Sequence, residues 1–262
     1  MQFCSLYSGS SGNSIYVSSP KSKILVDAGV TGKSVVSALE SINVNPVYLD
    51  GILVTHEHSD HIKGVGILSR RFNLPIYANE KTWASMKNKI GKLKNENINI
   101  IDKHFSINDM EIETFKVPHD ATDAIGYSIY SAGKKISIAT DMGIFTDEIK
   151  RNIKDSDLVL IESNHDEEML KFGPYPYDLK RRILSSLGHL SNSDSGSAIL
   201  EILKYGPKKI ILGHLSGTNN VPELAYKTVE NILFYEKVKI GTGQDVELSI
   251  ASRTEPSKLI EL

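Results

Sequence analysis

The run Thr55-His56-Glu57-His58-Ser59-Asp60-His61 constrains this chain more than any other stretch. It packs three imidazoles and two carboxylates into the six positions from His56 to His61. Each of these groups is costly to bury alone, and together they form a dense set of nitrogen and oxygen ligands. The preceding Gly51-Ile52-Leu53-Val54 is short, apolar and partly β-branched, which reads as a buried strand. The following Ile62-Lys63-Gly64-Val65-Gly66-Ile67-Leu68 carries an apolar pattern compatible with a helix. The ligand run therefore falls on the turn leaving a strand's carboxyl end, where open α/β sheets place their sites.

The spacing says more. In an extended loop His56, His58 and Asp60 point to one side, while His61 diverges from its neighbour Asp60. So short a loop cannot easily surround one ion with four ligands, but it can share them between two ions. Two metals about 3.5–4 Å apart suit the hydrolysis of phosphate esters and amides. The pattern H-E-x-x-H fails here, because Asp60 stands where the second histidine is required. The competing reading is a polar loop whose histidines merely cap a helix, and it leaves this concentration of ligands unexplained.

His56-Glu57-His58-Ser59-Asp60-His61 resembles the H-x-H-x-D-H signature of the metallo-β-lactamase fold superfamily of hydrolases. The resemblance implies an α/β (α+β) architecture: an αββα sandwich of two mixed β-sheets flanked by helices, with residues 1–262 as a single domain. Length is compatible with that, since large single α/β domains reach this size. The apolar content of 40% supports a sizeable core. No stretch approaches the roughly 18 apolar residues that span a membrane. Met1-Gln2-Phe3-Cys4-Ser5 shows neither the basic nor the apolar region of a secretory signal. Cys4 is the only cysteine, so no intrachain disulfide can form, which fits a reducing cytoplasm. A net charge of −2 leaves nucleic-acid binding to a local patch and to metals.

Along the chain, strands are expected at Gln2–Tyr7, Ser14–Ser18, Lys23–Asp27, Pro75–Ala78, Asn97–Ile101 and Met110–Val117. A hairpin follows at Tyr127–Tyr130 and Lys135–Ala139, then strands at Asp157–Ile161, Lys209–Leu212 and Val246–Ile250. Helices are expected from Thr31 to Ser41, after Asn79, and over Glu167–Phe172, Asp178–Leu187, Ser195–Tyr205 and Pro222–Tyr235. Ser8-Gly9-Ser10-Ser11-Gly12-Asn13 is either a plain hairpin turn or a phosphate-binding nest in which Ser10 and Asn13 would meet substrate.

Residues at other strand ends can complete the metal site if those ends share one edge. His119, Asp141 and His214 qualify, and Asp141 offers a carboxylate able to bridge two cations. The expected sharing is His56, His58 and His119 on one ion, and Asp60, His61 and His214 on the other, with Asp141 between them. The superfamily resemblance implies the same order of ligands along the chain. His165 also follows a strand but lies outside that order, and His104 reads as a surface residue. Zinc enzymes that open β-lactams commonly carry a cysteine where Asp141 stands. Oxygen ligands in place of sulfur make manganese an alternative to zinc, and favour phosphate-ester chemistry.

Gly173-Pro174-Tyr175-Pro176, Gly188-His189-Leu190-Ser191-Asn192, Glu162-Ser163-Asn164 and the Ser8–Asn13 turn together make the chain similar to the WalJ (YycJ) group. That resemblance implies a bacterial cytoplasmic nuclease acting on DNA, a duplex with a 5′ end, linked to repair and to cell-wall control. Related enzymes that process tRNA carry an extra RNA-gripping arm, and no such insertion is visible. In this reading a hydroxide bridging the ions attacks phosphorus, and Asp60 both ligates and accepts a hydrogen bond from it. His189 is the candidate general acid, and Lys180, Arg181, Arg182 and Asn192 are candidates to grip phosphates. A helix-capping role for His189 and a solvated face for the three cations compete with these roles. Two further readings of the whole remain: a hydrolase of a small thioester, lactone or cyclic phosphodiester, and a non-catalytic regulatory module stabilised by metal.

Overall fold

Several strands are continuous apolar runs rather than alternating ones, because both faces of each sheet are covered. In a computed structural model describing residues 1–206 and 208–262, the first sheet runs through β1 (Gln2–Tyr7), β2 (Ser14–Ser18), β3 (Lys23–Val26), β4 (Gly51–Leu53), β5 (Ile76–Ala78) and β6 (Ile98–Ile100). The second contains β7 (His104–Ile107), β8 (Met110–Lys116), β9 (Ile125–Ser131), β10 (Lys134–Ala139), β11 (Leu158–Glu162), β12 (Lys208–Gly213) and β13 (Val246–Ile250), also in that spatial order. A last strand, β14 (Ile260–Glu261), returns to pair with β1.

Three helices lie near the first sheet: α1 (Gly32–Ser41), the single turn α2 (Ser59–Ile62) and α3 (Val65–Phe72), followed by α4 (Glu80–Met86). The second half adds α5 (Asp147–Ile153), α6 (Glu167–Phe172), α7 (Tyr177–Ile183), α8 (Asn192–Leu203) and α9 (Pro222–Tyr235). On β3, Ile24 and Val26 pack between the sheets against Tyr127, Ile138 and Leu160, while Leu25 packs with Val35, Leu39 and Leu68 of the helices. On β11, Leu158 and Leu160 enter the same central layer, and Val159 and Ile161 face Ile149, Ile199 and Val229. The layers are therefore helix, sheet, sheet, helix. No helix among the described residues is long and apolar enough to cross a membrane.

Strands β3 to β6 are parallel, as are β10 to β13. Because β8 and β10 are both antiparallel to β9, they too run in one direction. The carboxyl ends of β8, β10, β11 and β12 consequently share one edge. Two hydrogen bonds tie that edge to the first sheet: the Tyr127 hydroxyl donates to the Val54 carbonyl at 2.7 Å, and the His214 N–H donates to Ser8 Oγ at 2.8 Å.

The elements differ from the sequence reading in a few places. The helix after the ligand loop breaks at Gly64, whose N–H donates to the Ala28 carbonyl at 2.7 Å. A side chain there would meet the Val30 carbonyl at 2.6 Å, so the close approach requires glycine. Helix α7 stops at Ile183 instead of Leu187, because the chain doubles back and His189 N–H donates to the Ile183 carbonyl. Helix α8 starts at Asn192 rather than Ser195, since Ser191 and Asp194 form a capping box. Strands β7 and β14 and helix α5 are additions to the expected elements; β7 is a largely exposed edge strand, and β14 has two residues.

Tyr127→Phe should test the tie between the sheets. The Val54 carbonyl would lose its hydroxyl donor inside the core, at a cost of about 1–3 kcal/mol. Urea unfolding should show a lower midpoint with an unchanged slope. An unchanged midpoint would mean that this bond does not hold the sheets together.

Candidate metal centre

The ligand loop is held by a buried carboxylate. Asp27, just past β3, adopts a left-handed backbone (φ 61°). Its carboxylate accepts the Thr55 N–H at 2.9 Å and the Thr55 hydroxyl at 2.8 Å, and lies 2.7 Å from His61 Nδ1. Thr55 Oγ1 in turn stands 3.0 Å from His56 Nδ1. With Nδ1 engaged in this way, His61 presents Nε2, the usual effect of a carboxylate behind a ligating imidazole. Gly29 lets the backbone of Asp60 pass, since a Cβ there would fall 1.6 Å from the Asp60 carbonyl oxygen.

Two donor groups follow the expected sharing, and a third, overlapping set joins Asp141 and His214 to Glu162 and His189. His56, His58 and His119 form one; Asp60, His61, Asp141 and His214 form the other, with the ligand atoms of each group within 4.8 Å of one another. Asp141 lies between them. Its Oδ1 is 3.3 Å from His214 Nε2 and 3.8 Å from His119 Nε2, and its Oδ2 is 3.4 Å from His61 Nε2. Asp60 Oδ2 is 3.5 Å from His61 Nε2 and 3.6 Å from His214 Nε2. Asp141 and His214 both leave their strands in the left-handed region (φ 58° and 56°), which turns them toward the shared edge.

These residues suit divalent cations. His56 Nε2, Asp141 Oδ2 and His214 Nε2 are buried with no hydrogen-bond partner. Imidazole and carboxylate donors so placed suit a divalent metal ion. Burial penalises charge throughout, yet the Asp60 and Asp141 carboxyls sit well below the usual carboxylate range, because His61 and His214 face them. Against the same burial, the carboxylates hold His61 well above its ordinary value and His214 up at about 10. Burial prevails at His56 and His119, which are pushed down. The carboxylates thus demand positive charge, which metal ions would supply in place of protons.

Glu162 forms the rear of the centre. It is fully buried, and its Oε1 lies 2.7 Å from His189 Nδ1 and 2.8 Å from His214 Nδ1. Its Oε2 accepts the Met142 N–H at 2.7 Å and the Leu190 N–H at 3.3 Å. Burial raises the Glu162 carboxyl, but His189 and His214 outweigh it and bring it down to about 2. The carboxylate raises His189 in turn, against burial. Sequence reasoning does not single out Asp27 or Glu162 as site residues. Both stand at the carboxyl end of a strand, which is the signal that could have found them.

The remaining candidates divide. His189 and Ser10 line a cleft of about 290 Å³ together with Asp60, Asp141 and His214. Asn13 does not face it. Asn13 is buried, accepts the Gly9 N–H at 3.0 Å and lies 3.1 Å from His61 Nε2, so it braces the ligand loop. Asn192 is also buried; it accepts the Ser163 hydroxyl at 2.7 Å and pairs with Asn220. Neither is presented to a phosphate. Lys180 donates to the carbonyls of Lys171 and Gly173, both at 2.8 Å, and Arg181 lies over the Tyr177 ring. Arg182 is the cation that lines the cleft, ion-paired with Asp120. His104 is exposed on β7, and His165 is buried outside both donor groups with neither ring nitrogen paired.

Two stacked sheets meeting at an edge rich in imidazole and carboxylate donors define a metallo-β-lactamase fold protein. Residues 22–215 match the family described as Beta-lactamase superfamily domain. The chain is 41% identical over 261 residues to Exodeoxyribonuclease YycJ of Bacillus anthracis, covering 99% of this chain and 98% of that one. It is 44% identical over 261 residues to Exodeoxyribonuclease WalJ of Streptococcus pneumoniae, covering 98% and 96%. The crystal structure of the metallo-β-lactamase fold protein YhfI from Bacillus subtilis superposes with a TM-score of 0.71 at 18% identity, covering 98% of this chain and all of that one. The chain belongs to the WalJ/YycJ family of the β-lactamase superfamily.

Asp141→Ala should deplete both donor groups of metal, the outcome expected of a carboxylate shared between them, whereas His104→Ala should leave metal content intact. Elemental analysis of the purified variants decides this. A full metal complement in Asp141→Ala would exclude a shared carboxylate.

Proposed function

We propose that this protein is a metal-dependent phosphodiesterase that removes nucleotides from DNA, a 5′-to-3′ exodeoxyribonuclease acting on duplex ends in the cytoplasm. The observation that carries this reading is the pair of donor groups on either side of Asp141 at the floor of an open cleft. Identity to two proteins named exodeoxyribonucleases over nearly the whole chain supports DNA as the substrate. His56, His58 and His119 would hold one divalent ion, zinc or manganese; Asp60, His61 and His214 would hold the second, with Asp141 reaching both. Bound ions would supply an acidified water as nucleophile and neutralise charge developing on the phosphoryl group.

The chain's own residues do the rest. Asp60 stands at the cleft surface, where its carboxylate can accept a hydrogen bond from the attacking water. Glu162 occupies Nδ1 of His189, leaving Nε2 as the atom that carries a proton into the cleft. A DNA 3′-oxygen leaves as a poorly stabilised alkoxide and requires that proton. Because Glu162 also orients His214, the proton donor and a metal ligand share one buried anchor.

His189→Ala should retain bound metal and DNA affinity yet slow DNA cleavage by roughly 10²–10⁴-fold, the usual worth of a positioned acid. The same variant should lose far less on a p-nitrophenyl phosphodiester, whose leaving group needs no proton. Equal losses on both substrates would assign His189 to phosphoryl charge or to structure instead. Wild-type enzyme that degrades no end-labelled DNA with either metal would overturn the exonuclease reading.

A further inference from the structure

One wall of the cleft carries a surface that metal chemistry does not use. Tyr175, Leu179 and Arg182 line that wall, all from the loop and short helix that follow α6. Aromatic residues make up 7% of the chain, yet Phe172, Tyr175 and Tyr177 fall within six positions. Phe172 is 76% exposed and Tyr177 74%, so neither ring serves the core. Single exposed apolar residues are ordinary on a protein surface. Here Phe172 and Tyr177 flank Tyr175, which lines the cleft, and a cation lies over one face of each: Lys171 over the Phe172 ring and Arg181 over the Tyr177 ring.

The segment is also held rigid. Pro174 and Pro176 fix the backbone on either side of Tyr175. Lys180 reaches back to the carbonyls of Lys171 and Gly173, so its charge staples α7 to the loop. Gly173 packs so closely that a Cβ would meet the Met169 carbonyl at 2.4 Å and Asn219 Oδ1 at 2.6 Å. Residues 171–182 hold four cations, Lys171, Lys180, Arg181 and Arg182, and one acid, Asp178, while Lys171 lies 3.7 Å from Glu168 just before the segment. Asp120, which also lines the cleft, adds a second carboxylate and ion-pairs with the Arg182 guanidinium.

The geometry points to segment 171–182 as a stacking platform for an unpaired DNA strand, with Tyr175, Tyr177 and Phe172 taking bases and Arg182 taking a phosphate. This rests on the exonuclease reading and adds to it that the end must be unpaired before it is cut. Aromatic rings combined with a cationic surface are how proteins bind single strands without reading sequence. A cavity of about 290 Å³ lies at the small end of pockets that hold one small ligand, a size that suits a single nucleotide. Continuity with the donor-lined floor would put the first phosphate beside Asp60 and His189.

The test uses metal-loaded enzyme and a non-cleavable phosphorothioate oligonucleotide carrying 2-aminopurine at its 5′-terminal positions. Wild type should change the probe's fluorescence on binding. Tyr177→Ala and Phe172→Ala should each weaken binding by about 5- to 150-fold, the worth of one base–aromatic stack, with Tyr177→Phe restoring it. A duplex with an unpaired 5′ tail should be cut faster than its blunt counterpart, and the alanine variants should narrow that difference. Melting temperature and metal content establish that the variants are folded. Unchanged probe fluorescence in wild type, or equal affinity in the folded alanine variants, would overturn the platform. Wild type that binds the oligonucleotide with the fluorescence change but degrades no DNA would overturn the exonuclease reading and leave the platform supported.

Discussion

A single carboxylate between two sets of imidazoles governs the design of this molecule. Asp141 is almost fully buried, and its two oxygens lie 3.3–3.8 Å from His61, His119 and His214. A carboxylate removed from water costs several kcal/mol unless positive charge and hydrogen bonds compensate it. Among the described residues no lysine lines the cleft beside it, and Arg182, the cation that does reach the cleft, is engaged by Asp120. Compensation falls to imidazoles and to the ions those imidazoles would hold. The fold serves this arrangement by bringing the carboxyl ends of strands from both sheets to one edge.

Behind the donors, two more buried carboxylates fix their orientation. Asp27 anchors the first-sheet side through Thr55 and His61, and Glu162 anchors the second-sheet side through His189 and His214. Each engages Nδ1 and so turns Nε2 toward the centre, which makes the two sides alike in logic though not in sequence. The same Glu162 connects His214, a member of the second donor group, to the cleft-lining His189. A change at either histidine is therefore felt by the other through one carboxylate.

Much of this is legible in the sequence, for physical reasons. Three imidazoles and two carboxylates in one short loop have few structural uses, and a buried strand before them gives the loop a place in a sheet. His119, Asp141 and His214 can be found because each follows an apolar strand. Asp27 and Glu162 follow strands as well. A single carboxylate at a strand end looks the same whether it ligates, braces an imidazole or faces water, and only the partner it meets across the fold distinguishes these. Asn13 and Asn192 illustrate the reverse: polar loop residues near a motif suggest substrate contact, while long-range packing buries both. Helix α7 ends early because His189 folds back onto the Ile183 carbonyl, a contact that local propensity does not contain.

Whether Asp141 joins two metal positions into one centre is tested most directly by anomalous diffraction from crystals of the metal-loaded protein. Two peaks about 3.5–4 Å apart are expected, one among His56, His58 and His119 and the other among Asp60, His61 and His214, with Asp141 in reach of both. One peak at full occupancy, or two peaks with Asp141 bound to neither or to only one, would contradict a shared carboxylate.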